Sequence, residues 1–353
     1  MSPFNACFTG RMNRILPSFL VPWVPRDAHM ILIMSLLLSG CSPQSGSSGP
    51  ISTAEYPTKT ITVICPWKAG GGTDRVSRFL ADSLKQALDV PCVVQNKTGG
   101  SGAVGHSSGA HAKADGYTLT MGTFELSTMH WMGISDLTYK DYTPLMQVNA
   151  DAAAIIVRQD APWKSLEEML AHVRANPGKV QMSGTATGGA WDLARAGFQL
   201  AADLPVEAIR WIPTEGSAPS LVELMGGHID AVCCSVPEAA TQIEAGELRV
   251  LCVMSGDRLA AYPDMPTCQE SGIEWEMVGW RGLLLPPDTP DAIVKRLSEA
   301  LTEITQSASY KSFMKKNGFG VEVKHGQDFE AFLRAEDAKW KQVIEATGYA
   351  REP

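Results

Sequence analysis

The chain has 353 residues, of which 44% are hydrophobic and 19% charged, and its formal net charge is −8. That is the composition of a globular protein, with length for about two domains. The acidic balance excludes a generic nucleic-acid binder, which needs a basic face. No stretch of the body reaches the ~18 apolar residues of a membrane-spanning helix.

The first forty residues read as a targeting segment and not as part of the fold. Met30–Leu38 is a short apolar run, MILIMSLLL, with Arg11, Arg14 and Arg26 upstream. The sequence Leu38-Ser39-Gly40-Cys41 resembles a bacterial lipobox, which makes Cys41 the expected acylated N-terminus. The region before Met30 is long for such a segment, so Met12 is an alternative start. Residues 41–56, rich in Ser, Gly and Pro, are expected to form a flexible tether. Six further cysteines follow, at 65, 92, 233, 234, 252 and 268. Most lie in apolar runs and are expected to be buried thiols, although Cys65 and Cys92 end neighbouring strand candidates and are open to pairing. No CxxC spacing occurs, so the sequence offers no zinc or redox site.

From there strands and helices alternate. Thr60–Cys65 predicts a strand. Thr73–Leu88 predicts a helix with Val76, Leu80, Leu84 and Leu88 on one face. Pro91–Gln95 predicts a strand, Gly102–Ala112 a small-residue helix, and Tyr117–Met121 a strand after the Asp115-Gly116 turn. Ala153–Arg158 predicts a strand, and Ser165–Ala175 a helix opened by Ser165 with Glu168 three residues on. Strands at 180–183, 208–212, 229–234 and 249–254 interleave with helices at 190–202, 218–225 and 237–245. Helices at 291–306 and 328–346 close the chain. The alternation predicts an α/β fold with largely parallel sheets.

In such sheets ligands bind beyond the carboxyl ends of the strands. Two strand-to-helix loops are suited to that role. One is Pro66-Trp67-Lys68-Ala69-Gly70-Gly71-Gly72-Thr73-Asp74. The other is Ser183-Gly184-Thr185-Ala186-Thr187-Gly188-Gly189. Glycines let main-chain N–H groups turn inward, and a helix start adds partial positive charge. Two such loops predict a clamp for a small acid. Neither contains GxxxxGK[ST], so a nucleotide P-loop is not indicated. Gly100-Ser101-Gly102-Ala103-Val104-Gly105 fits GxGxxG, but Asn96–Gly99 separates it from its strand and Asp115-Gly116 cuts its helix short. The histidines are dispersed, with no HxxxH or HExxH, so a hydrolytic centre is not indicated.

Several spaced segments together resemble the Bug, or TctC-like, solute-binding receptors of tripartite tricarboxylate transporters. They are Trp67–Arg78, Asn96–Gly105, Ala114-Asp115-Gly116-Tyr117-Thr118-Leu119, Leu221–Asp230, and Pro263–Thr267 with Glu270-Ser271-Gly272. The resemblance runs from about Tyr56 to about Tyr349. It implies a two-lobed periplasmic binding fold of the Venus-flytrap, type II-like kind, with lobe 1 at 57–157 and 283–353, lobe 2 at 158–282, and one ligand in the interlobe cleft. It implies no catalysis, cofactor or metal. The implied partners are a small carboxylate ligand and membrane permease subunits. The implied form is a monomer in the periplasm, anchored by its lipid. Carried onto this chain, the implied ligand-binding residues are Trp67, Lys68, Ala69, Gly70, Gly71, Gly72, Thr73 and Asp74 in the first loop and Thr185, Thr187 and Gly188 in the second. Gly216, Glu125 and Trp280 join them. Glu125, Glu215 in Thr214-Glu215-Gly216, and Asp192 in Ala190-Trp191-Asp192 depart from the family pattern. Such acids face solvent, are balanced by Lys68 or Arg281, or meet an ammonium group on the ligand. The alternatives are an exported enzyme acting on a small carboxylic acid, or a ligand sensor for a signalling kinase.

Overall fold

A computed structural model describes residues 56–350. The targeting segment, Cys41 and the tether before Tyr56 lie outside the described residues. The elements in chain order begin with β1 (Ile61–Cys65), α1 (Gly72–Leu88), β2 (Cys92–Asn96), α2 (Ala103–Ala110), β3 (Thr118–Thr123) and β4 (Thr143–Arg158). Next come α3 (Leu166–Ala175), β5 (Val180–Ser183), α4 (Ala190–Ala201), β6 (Ile209–Trp211), α5 (Ser217–Met225), β7 (Ala231–Ser235), α6 (Ala240–Glu244) and β8 (Leu248–Val253). The chain ends in β9 (Val278–Leu285), α7 (Asp291–Gln306), α8 (Ala308–Asn317), β10 (Lys324–His325) and α9 (Gly326–Ala346).

The strands make two sheets that share β4. In the first, β2, β1 and β3 run parallel, β9 lies antiparallel between β3 and β4, and β10 pairs with the far edge of β4. In the second, β6, β5 and β7 run parallel, and β4 pairs antiparallel with β7 and β8. Residues 143–152 of β4 ladder with β9, and residues 153–158 ladder with β7 and β8. The parallel pattern expected from the sequence therefore holds at the outer strands and gives way to antiparallel pairing around β4. The first half of β4 and all of β9 were not predicted. Polar Gln147, Asn149 and Asp151 interrupt one, and Gly279, Arg281 and Gly282 interrupt the other. Asn149 and Asp151 are buried with Arg281, which donates to both, and Asn149 stands opposite it in the register.

Each sheet has its own apolar core. Around the first, Ile61, Val63, Leu119 and Leu283 meet Leu80 and Leu84 of α1 and Leu297 and Leu301 of α7. The 4-residue spacing on α1 buries Val76, Leu80, Leu84 and Leu88, as expected for one helical face. Around the second, Ile155, Val232 and Leu251 meet Leu170 of α3 and Leu193 and Phe198 of α4. α9 starts beside β10, packs Phe329 edge-on to Trp280, and sets Trp340 edge-on to Phe124 and Trp275. Beyond its end the Tyr349 hydroxyl meets Asp192 and Arg195 of α4.

The GxGxxG stretch and the helix after it are used for packing: a Cβ on Gly105 would lie 2.6 Å from Pro66 Cα and 2.7 Å from Lys97 O. Gly109 of α2 sits so close to β3 that a Cβ there would lie 1.8 Å from Thr120 Oγ1. The six cysteines among the described residues are free and buried. Cys65 and Cys92 cannot pair, because β1 and β2 are parallel and Cys92 stands opposite Ile61. Four residues of strand, about 13 Å, separate the two thiols, beyond the ~7 Å Cα limit of a disulfide.

Candidate functional site

The loops leaving β1 and β3 and the first residues of β9 face the loops leaving β5, β6 and β7 across a cavity of about 40 Å³. Of the expected residues, Trp67, Lys68, Gly71, Gly72 and Thr73 line it from the first glycine loop. Glu125, Thr185, Gly216 and Trp280 line it from elsewhere. Ala69, Gly70, Asp74, Thr187 and Gly188 are not on its wall. Thr123, Phe124, Ala190, Trp191, Ser217, Glu238, Gly279 and Arg281 complete it.

The two glycine loops are built alike. In Gly70-Gly71-Gly72-Thr73-Asp74 the Asp74 carboxylate reaches back to accept from Gly70 N at 2.9 Å. In Gly188-Gly189-Ala190-Trp191-Asp192 the Asp192 carboxylate accepts from Gly188 N at 2.9 Å. Each acid is the third residue of its helix, where a carboxylate satisfies donors ahead of the helix and favours its positive end. Each is held by an arginine one turn on, Arg78 for Asp74 and Arg195 for Asp192. Burial works against the Asp74 charge, but Arg78 and the Gly70 and Asn96 donors outweigh it, so its pKa lies below the usual carboxylate range. Asp192 is more deeply enclosed, and burial prevails over Arg195 to raise its pKa.

A second pair of acids crosses the cavity. Glu125, after β3, accepts from Ala190 N, the first amide of α4, at 2.8 Å. Glu238, after β7, accepts from Gly72 N, the first amide of α1, at 3.2 Å. Each sheet thus sends a carboxylate to the helix start of the other. The amides at Gly70, Gly72, Gly188 and Ala190 are therefore already engaged by the chain's own acids and are not bare anion donors. Gly72 is required for this approach: a Cβ there would meet Glu238 Oε1 at 2.7 Å and Arg281 Nη2 at 2.9 Å.

The two crossing acids differ in their company. Glu238 accepts from Ser217 Oγ at 3.0 Å, from Ser235 N at 3.1 Å and from Arg281 Nη2 at 3.3 Å. Glu125 is tied to the Thr123 hydroxyl, which in turn accepts from Trp67 Nε1 at 3.3 Å. No cation pairs directly with Glu125 among the described residues. Burial raises its pKa, against the lowering effect of Thr123 and Ala190 N. His106 supports the same corner, with Nδ1 2.9 Å from Gly102 O and Nε2 accepting from Thr123 N at 3.3 Å. Burial lowers its pKa to about 4, so it stands neutral at pH 7.

Arg281 is the buried cation of the wall. It donates to Thr73 Oγ1 at 3.0 Å, to Asn149 Oδ1 and Asp151 Oδ2 at 2.6 Å each, and to Glu238. Its partners are therefore Asp151 and Glu238, not Glu125 or Glu215. Lys68 pairs with the exposed Glu215 at the rim, where Thr98 also donates to that carboxylate. Ser101 Oγ donates across the rim to Thr187 O at 2.6 Å. Two buried polar atoms of the cavity residues have no partner in the chain: Thr185 Oγ1 and Trp280 Nε1. Their side chains are on residues only 4% and 1% exposed.

Sequence reasoning missed Glu238 because its loop holds no glycine. Its signal was Ser235-Val236-Pro237-Glu238, a capping-box spacing directly after a strand. No group of three or more His, Cys, Asp or Glu among the described residues is arranged to hold a metal. No helix among them is long and apolar enough to cross a membrane.

Residues 76–349 match the family described as tripartite tricarboxylate transporter family receptor, TctC. The chain is 30% identical over 309 residues to protein BugT of Bordetella pertussis, covering 86% of this chain and 94% of BugT. It superposes on the periplasmic binding protein BugD with a TM-score of 0.79 at 27% identity, covering 84% of this chain and all of BugD. It superposes equally, at 26% identity and over 84% of this chain and 99% of the other, on Rpa4515 of R. palustris, solved with adipate. Continuous similarity across the folded chain, joined to a cavity between two helix-starting loops, places this protein in the TctC family of tripartite tricarboxylate transporter receptors.

Proposed function

We propose that the chain is the extracytoplasmic receptor of such a transporter. It captures a small carboxylate-containing metabolite between its two halves and delivers it to membrane permease subunits. The observation that carries this reading is the cavity lined by both glycine loops, two of whose lining residues carry buried, unpartnered polar atoms, Thr185 Oγ1 and Trp280 Nε1. A buried polar group without a partner costs roughly 1–3 kcal/mol; a ligand oxygen removes that cost. The adipate in Rpa4515 supports a carboxylate.

A cavity of 40 Å³ holds roughly three waters. A metabolite needs more room than that, so in this reading the halves part to admit it. In this reading the halves meet at Ala152/Ala153 and Met277/Val278, where the strand pairing changes sheet, a few residues before Arg158 and Gly282. α9 gives a third connection through Tyr349. Trp67, Lys68, Gly71, Gly72, Thr73, Glu125, Thr185, Gly216 and Trp280 act at the ligand. Ala69, Gly70, Asp74, Thr187 and Gly188 shape the loops behind it. The protein works as a monomer, without turnover, held at the membrane by a lipid on Cys41.

A thermal-shift panel on ligand-free, refolded protein tests the central claim. Binding to the native state alone raises stability by about 2.7 kcal/mol at a hundredfold excess over Kd. A panel of di- and tricarboxylates, aromatic acids and amino acids is expected to contain at least one that raises the midpoint. If none does, the receptor reading is wrong.

A further inference from the structure

We infer that the captured acid also carries a cationic nitrogen, an ammonium or quaternary ammonium group, received by Glu125 among the tryptophans of the cavity. The inference rests on the receptor reading and narrows its ligand to a zwitterion.

The first observation is a charge imbalance. The side chains of Glu125, Glu238 and Asp151 are buried; Arg281 pairs with the last two, and half-buried Arg75 adds its charge to those same two, so Glu125 alone has no cation paired with it. The donors of Arg281 are spent on Thr73, Asn149, Asp151 and Glu238. Lys68 is half exposed and tied to Glu215 at the rim. A plain dicarboxylate would bring two more negative charges to a wall already in excess of acid. Unpaired buried charge of that kind is strongly disfavoured.

The second observation is independent of charge. Trp67, Trp191 and Trp280 line the same cavity as Glu125. Indole faces attract cations, and such aromatic walls are how quaternary ammonium groups are recognised. The third is the unpartnered pair. Trp280 Nε1 can only donate, and Thr185 Oγ1 can donate. Together they offer hydrogen bonds to the carboxylate of the same ligand while Glu125 takes its nitrogen.

Matched pairs that differ in the nitrogen test this by calorimetry at pH 7.5. The pairs are glycine betaine with its carbon isostere 3,3-dimethylbutanoate, glutamate with glutarate, and aspartate with succinate. In at least one pair the nitrogen-bearing member is expected to bind about tenfold or more tightly than its partner. In Glu125→Gln that preference is expected to fall to about twofold or less. If plain carboxylates bind equally or better, the inference is overturned while the receptor reading stands. If the preference survives unchanged in E125Q, the assignment to Glu125 is overturned. If neither member of any pair binds while another acid of the thermal-shift panel does, the inference is overturned and the receptor reading stands; if no acid of the whole panel binds, both fail. The wild-type comparison decides the first point even if E125Q does not fold.

Discussion

Arg281→Met removes the guanidinium that pairs directly with Asp151 and Glu238, where water barely reaches. The side chains of Arg281, Asp151 and Glu238 are 4%, 2% and 4% exposed in their ion pairs. Breaking a buried pair by deleting one partner costs about 3–5 kcal/mol, because the remaining charge has nowhere to go. Glu238 keeps donors from Gly72 N, Ser217 and Ser235 N, whereas Asp151 keeps only Gly320 N at 2.7 Å. Most of the loss therefore falls on Asp151. Urea unfolding at pH 7 is expected to show R281M less stable by about 3–5 kcal/mol, which at ~2–4 °C per kcal/mol lowers Tm by roughly 6–20 °C. Adding Asp151→Asn should return a large part of that deficit, since the two sites share one network. The deficit should change little with added salt, because buried charges are poorly screened. A loss below about 1 kcal/mol, or no recovery in the double variant, would refute the argument that these charges are cut off from solvent.

Glu125→Gln carries a pH signature. The folded pKa of Glu125 is raised by burial, so the native state holds its proton to higher pH than the unfolded chain, and ionisation draws stability away as pH rises. Paired urea titrations from pH 4 to pH 8 should show E125Q gaining on the wild type as pH rises; a constant difference would contradict this. Thr185→Val deletes a buried hydroxyl that has no partner. It should leave ligand-free stability unchanged or raised by up to about 1 kcal/mol, while weakening, by roughly fivefold to a hundredfold, the acid that gives the largest thermal shift. Equal affinity in calorimetry would remove Thr185 from the site. Gly109→Ala places a methyl 1.8 Å from Thr120 Oγ1 and should cost about 1–3 kcal/mol in urea unfolding, with Thr120→Ala restoring part of it.

Much of the fold was legible because apolar spacing announces it. Val76, Leu80, Leu84 and Leu88 name a buried helix face without help from any neighbour. β4 and β9 were not legible, since the polar residues that break their patterns become buried only by meeting each other across the sheet. Asn149 and Arg281 are far apart in sequence and adjacent in register. The site divides in the same way. The glycine loops stand out locally, and GGxxD occurs in both, at Gly70–Asp74 and Gly188–Asp192. What local reading does not supply is the occupant of each helix start. Glu125 and Glu238 reach theirs from the opposite sheet, over 65 and 166 residues of chain. Amides that look free in a loop read by itself were already satisfied in the folded molecule.

The uninterrupted β4 has a consequence for how the molecule moves. Its 16 residues serve both sheets without a loop between them. The pairing with β9 slips between Pro144 and Met146 and between Gln147 and Asn149, and that with β8 slips between Ile155 and Ile156. Such irregularities are where a strand bends. In the receptor reading proposed above, parting the cleft is flexure of a continuous ribbon, shared out in small increments of twist, and not a swing about a slack joint.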